Sequence, residues 1–134
     1  MQSERIILVT GHSMGGAVAN LLADHLTICT SASCCPVRGS ARVYAYTFAA
    51  PNVKFLFTPT AHQNIFNILN SNDLVTTVPG LWTGLWGRYG RSTSINMVAN
   101  QDVPYAPNRL MPTYLDELYK RDDTFTWPDM VALP

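Results

Sequence analysis

Residues 6–15 read Ile6-Ile7-Leu8-Val9-Thr10-Gly11-His12-Ser13-Met14-Gly15. The short apolar run predicts a buried parallel strand from Arg5 to Thr10, which glycine ends. The Gly-x-Ser-x-Gly pattern that follows predicts a sharp strand-to-helix turn with Ser13 as its nucleophile. Gly11 and Gly15 leave room for a close backbone approach on either side of that serine. We therefore expect the functional site of the chain to include this turn.

A helix is predicted from Gly15 to Ile28. Its apolar residues recur at three- and four-residue spacings, at Val18, Leu21, Leu22 and Cys29. Asn20 and Asp24 share a different face of the same helix. This separation of apolar and polar faces is typical of a helix that lies on a sheet.

Two further strands are predicted, from Arg42 to Phe48 and from Asn64 to Leu69, and turn-forming residues follow the second one. Strands joined by parallel connections indicate an α/β fold with a mostly parallel central sheet. In such sheets functional groups gather beyond the carboxyl ends of the strands. Ser13 and Asp73 both fall at that edge. Asp73 is either the acid of a catalytic group or a turn residue that bonds its own backbone.

Length and charge exclude several classes of protein. The chain has 134 residues and no formal net charge, so we expect one domain over 1–121, a loosely held tail over 122–134, and no binding of nucleic acid. No apolar run approaches the roughly 20 residues of a transmembrane helix, and no signal peptide is predicted. Cys29, Cys34 and Cys35 are expected to be free thiols. We expect no metal and no cofactor.

Three segments, in this order, resemble the class 3 or fungal-type lipases of the α/β-hydrolase superfamily: Gly11–Ala19, Thr47–Val53 and Asn67–Val75. The first resembles the nucleophile elbow of that family, the second a strand-end signature, and the third the segment that presents the acid. The resemblance implies Ser13 as the nucleophile and Asp73 as the triad acid. It also implies the backbone N–H of Met14 as one donor of the oxyanion hole.

Two departures from the family pattern follow from the same resemblance. No histidine follows His62, although the family places its triad histidine after the acid. By similarity to bacterial relatives, Arg109 or Asn108 stands at the position of that histidine, and an arginine cannot act as a base because it stays protonated. We also expect the earlier strands of the family, with the second oxyanion donor, to be missing from this chain.

The sequence thus predicts a partial α/β-hydrolase fold and a lipase-like carboxylic ester hydrolase that acts on a lipid or small acyl ester. The alternative is a non-catalytic lipase remnant, or a half-domain that needs a partner chain. In either case one edge of the first strand would lack its usual neighbour. A complementing N-terminal chain, or a second copy of this chain, is the expected partner for that edge.

The loop from Pro79 to Gly90 carries several aromatic residues. Trp82 and Trp86 are expected either to line an acyl-binding rim or to anchor the loop in the core. Arg88 and Arg91 are expected to be solvated loop charges.

Overall fold

A computed structural model describes residues 5–28, 41–55, 62–80, 83–95 and 114–115. The chain forms, in order, β1 (Arg5–His12), α1 (Met14–Ile28), β2 (Ala41–Phe48), β3 (Lys54–Phe55), β4 (Ile65–Asn70), a 3-10 helix (Leu74–Thr77), β5 (Trp86–Gly87) and β6 (Arg91–Ile95). The larger sheet has the order β1-β2-β4-β6, and all its neighbouring strands are parallel. The predicted α/β class with a mostly parallel sheet is therefore confirmed.

The predicted strands and helix are present with small shifts of their ends. β1 runs two residues beyond the prediction, through Gly11 and His12, because its pairing with β2 continues to the register His12 with Phe48. α1 begins at Met14, directly after Ser13. The turn between strand and helix is thus a single residue, which is sharper than the sequence pattern alone required.

The face of α1 that packs on the sheet is not its most apolar one. The helix turns small and polar residues toward the sheet, and the buried ones are Gly16, Ala19, Asn20, Ala23 and Asp24. Val18, Leu21 and Leu22 are instead 45–60% exposed. Small side chains let the helix approach the sheet closely, and the buried polar ones find hydrogen-bond partners there.

A buried amide network explains why polar residues of α1 face inward. Asn20 donates to Asn67 Oδ1 at 2.8 Å and to the Tyr89 carbonyl at 3.0 Å. It also accepts from the Tyr89 N–H at 3.0 Å, while Thr47 donates to Asn67 Oδ1 at 2.6 Å. Asn67 in turn donates to the carbonyls of Tyr89 and Arg91. The network joins α1, β2, β4 and the segment that leads into β6.

β6 and the small antiparallel ribbon of β3 and β5 were not predicted. In β6 only Ile95 is buried, so its sequence, Arg91-Ser92-Thr93-Ser94-Ile95, lacks an apolar pattern. At the opposite side, β1 is the edge strand of the described sheet, and Ile6 and Leu8 are 60% and 64% exposed. Among the described residues, the helices are too short or too polar to cross a bilayer.

Candidate active site

Ser13 occupies a strained corner between β1 and α1. Its φ is +57°, in the left-handed region that side chains other than glycine seldom adopt. Its N–H donates to the Phe48 carbonyl at 2.9 Å, and its carbonyl accepts from the Ala17 N–H at 3.1 Å. The corner is thereby tied to the end of β2 and to the first turn of α1. Strain that neighbouring bonds hold in place is a feature of functional positions.

Gly11 makes this corner possible. A Cβ atom at Gly11 would lie 2.2 Å from the Gly15 carbonyl oxygen and 2.8 Å from the Gly16 nitrogen. A Cβ atom at Gly16 would lie 3.0 Å from the Ala50 Cβ. At Gly15 an added Cβ meets no described atom within 4 Å. The close approach predicted for both elbow glycines is therefore found for Gly11, with Gly16 as the second tight position.

Met14 is the first residue of α1, and its side chain is 77% exposed. The first N–H groups of a helix have no partner within the helix and carry the positive end of its dipole. The N–H of Met14 is one of these groups, and its oxyanion role stays a prediction from the family resemblance.

Asp73 lies three residues beyond the end of β4 and is 3% exposed. Its Oδ1 accepts from the Val75 N–H at 3.0 Å and caps the 3-10 helix. The Asp73 carbonyl accepts from both the N–H and the hydroxyl of Thr76. Asp73 therefore bonds its own backbone turn, as one of the two alternatives predicted. Its side chain is also buried at the edge of the sheet where the other alternative expects an acid.

Ser13 and Asp73 lie at the same edge of the sheet, as the sequence predicted. β1 and β4 are parallel and both flank β2, so their carboxyl ends are about 10 Å apart at two strand spacings. Tyr114 closes this edge from the C-terminal part of the chain. It is fully buried, packs edge-on against His12 and Phe48, and accepts from the Asn70 N–H at 2.9 Å.

The three histidines of the chain lie at different places in the fold. His12 packs against Tyr114 with ring centroids 6.2 Å apart. His25 is exposed in the last turn of α1. His62 precedes β4, at the end of the sheet remote from Ser13, and its Nε2 lies 2.6 Å from Asp24 Oδ1. Arg109 and Asn108, the predicted positions of the missing base, lie outside the described residues, as do the three cysteines and the boundary at residue 121.

The Asp24–His62 pair joins α1 to the segment before β4, so its removal is expected to cost stability. Asp24→Ala should lower the free energy of unfolding by about 1.5–3 kcal/mol, because a partly buried, charge-assisted hydrogen bond is lost. His25→Ala, one residue further along α1 and exposed, should change it by less than about 0.5 kcal/mol. Urea denaturation measures both. A double-mutant cycle with His62→Ala that shows no coupling would contradict the assignment.

Arg88 is not the solvated charge that the sequence predicted. It is half-buried, its Nε donates to the Ala50 carbonyl at 2.7 Å, and its Nη2 donates to the Thr76 carbonyl. Burial lowers the pKa of Arg88 to about 10, while electrostatic interactions with Tyr114 and Asp73 oppose that change. Arg88 therefore stays protonated at neutral pH. Arg91 is exposed, as predicted, and bonds Gln63.

An apolar ribbon lies beside this edge. Phe55 of β3 and Trp86 of β5 stack edge-on, with ring centroids 5.8 Å apart, and each is about 40% exposed. Leu85 is 37% exposed. For Trp86, this exposed fraction favours the predicted position on a surface rim over the alternative of a side chain buried in the core. Trp82 lies outside the described residues.

Comparison with known proteins shows the family of this chain. The model of a family described as Lipase (class 3) matches residues 2–82, which is more than half of the chain. The chain belongs to the class 3 lipase family. A comparison with curated proteins found no match.

Solved structures of lipases are also similar to this class 3 lipase chain. They include a lipase from Rhizopus microsporus var. chinensis (23% identity, 66% of this chain and 30% of that one, TM-score 0.45) and Lip2 lipase from Yarrowia lipolytica (21%, 67% and 32%, TM-score 0.46). A third is the Rhizomucor miehei lipase propeptide complex (25%, 83% and 39%, TM-score 0.47). The chain thus spans between 30% and 39% of the length of these proteins.

Proposed function

We propose that this chain carries the nucleophile and the acid of a lipase-type ester hydrolase. The observation that supports this most directly is the left-handed backbone of Ser13 at a strand-to-helix corner, with Asp73 at the same edge of the sheet. The roughly 10 Å between the ends of β1 and β4 leaves room for an imidazole between the two side chains. Membership of the class 3 lipases favours a lipid or small acyl ester as the substrate.

In the proposed reaction, Ser13 Oγ attacks the ester carbonyl and its proton passes to a base. The N–H of Met14 stabilises the oxyanion of the tetrahedral intermediate. The base then gives that proton to the departing alcohol, which leaves an acyl-serine. Water, deprotonated by the same base, attacks the acyl-serine, releases the carboxylic acid and restores the serine. Asp73 would hold the base in the required orientation and stabilise its charged form.

The second candidate function is that of a non-catalytic lipase-like chain, or a half-domain completed by another polypeptide. It is favoured by His62, whose ring bonds Asp24 at the end of the sheet remote from Ser13. The position of β1 at the edge of the described sheet favours a partner that adds a strand there.

A fluorophosphonate probe tests the first candidate without assuming a substrate. The folded chain is expected to label slowly at Ser13, because an oxyanion donor and a strained serine remain even without a base. Ser13→Ala should abolish the labelling, whereas Ser92→Ala, at an exposed serine of β6, should leave it unchanged. Folded protein that does not label, or labelling that survives Ser13→Ala, would exclude the acyl-serine reaction.

A further inference from the structure

We propose that Arg88 is a positioning residue for the acid: its guanidinium fixes the segment that carries Asp73 and supplies the positive charge that keeps this carboxylate ionised. This inference rests on the proposed function, since it assigns to Arg88 the positioning of Asp73, the acid of the proposed site. It departs from the sequence prediction, in which Arg88 was a solvated charge.

The guanidinium joins two segments of the carboxyl edge. It donates to the Ala50 carbonyl just after β2 and to the Thr76 carbonyl of the 3-10 helix. Thr76 in turn donates from its N–H and its hydroxyl to the Asp73 carbonyl. Arg88, Thr76 and Asn70 also share the lining of one cavity of about 370 Å³. A planar fork can hold two carbonyls at once in a way that an ammonium group cannot.

The backbone next to Arg88 is held as firmly as its side chain. The N–H and carbonyl of Tyr89 are both engaged by Asn20, and the carbonyl also accepts from Asn67 at 2.9 Å. The amide network therefore holds the backbone next to Arg88, and two backbone carbonyls hold its guanidinium. A cation ordered in this way supplies its charge with little further loss of conformational entropy.

The positive charge of Arg88 affects the ionisation of Asp73. Burial disfavours the ionised form of any carboxyl group, and Asp73 is 3% exposed. The triad acid must be ionised to stabilise a protonated base. The Arg88 and Asp73 charges attract each other, since the carboxylate opposes the fall in the pKa of Arg88 that burial causes. The same attraction favours the ionised form of the Asp73 carboxyl over its neutral form.

Titration of ¹³C-labelled aspartate carboxyls by NMR tests the proposal independently of catalysis. Arg88→Gln is expected to raise the titration midpoint of Asp73, and Arg88→Lys, which keeps the charge, to preserve most of the wild-type midpoint. Asp24, bonded to His62 at the other end of the sheet, is the internal control and should not move. An unchanged Asp73 midpoint in folded Arg88→Gln, or equal midpoints in the Gln and Lys variants, would overturn the proposal.

A second variant covers the case in which Arg88→Gln does not fold. Arg88→Gln/Asp73→Asn is then expected to fold, because it leaves no buried carboxylate without a counter-charge. Failure of the double variant as well would show that Arg88 only packs the loop, and would overturn the proposal. Absence of fluorophosphonate labelling with an intact shift of the Asp73 midpoint would count against the proposed function alone.

Discussion

Replacing Gly11 by alanine is expected to lower the free energy of unfolding by about 3 kcal/mol or more. The new Cβ would lie 2.2 Å from the carbonyl oxygen of Gly15 and 2.5 Å from its carbonyl carbon. Both are backbone atoms at the start of α1, so relief requires the helix to move away from β1. Because Ser13 lies between Gly11 and Gly15 in the chain, the same movement would relax its strained backbone conformation.

Gly15→Ala is the matched control for this prediction. It adds the same methyl group four residues later, where no described atom lies within 4 Å, and alanine favours a helix by about 1 kcal/mol over glycine. The variant should therefore be as stable as the wild type or slightly more so. Urea denaturation followed by circular dichroism measures both variants. Equal stability of Gly11→Ala and Gly15→Ala would show that the elbow is looser than its geometry indicates.

The edge that carries the site was predictable because its determinants are local. Short apolar runs ended by turn residues predict parallel strands, and parallel strands place their ends together. One glycine-flanked serine then fixes the corner between β1 and α1. Ser13 and Asp73 were placed on the correct edge by this reasoning, without knowledge of any contact between distant segments.

The supports of the site were not predictable, since they depend on partners distant in sequence. Asn20 was assigned to a polar face, yet its partners Asn67 and Tyr89 turn that face toward the sheet. Arg88 owes its partial burial to two backbone carbonyls, and a carbonyl has no signature in the sequence. β6 was missed for a related reason, because it is paired along β4 but mostly exposed.

The largest gain in reactivity is expected from Arg109→His. If residue 109 stands at the position of the triad base, a histidine there should raise the rate of Ser13 labelling by at least about 100-fold, the lower range for a positioned general base. Tyr114, five residues later, packs against His12 and bonds the Asn70 N–H. The prediction thus concerns a position five residues before a side chain that packs at the edge carrying Ser13 and Asp73.

The pH dependence and two controls make this result specific. The gain should appear as the pH rises through about 6.5, because only the neutral imidazole can accept the serine proton. Adding Ser13→Ala should remove it entirely. Arg91→His, an identical exchange on the exposed strand β6, should give no gain. A gain from Asn108→His alone would move the predicted position by one residue, whereas no gain from either variant would favour the non-catalytic interpretation, in which the edge keeps its fold without a place for a base.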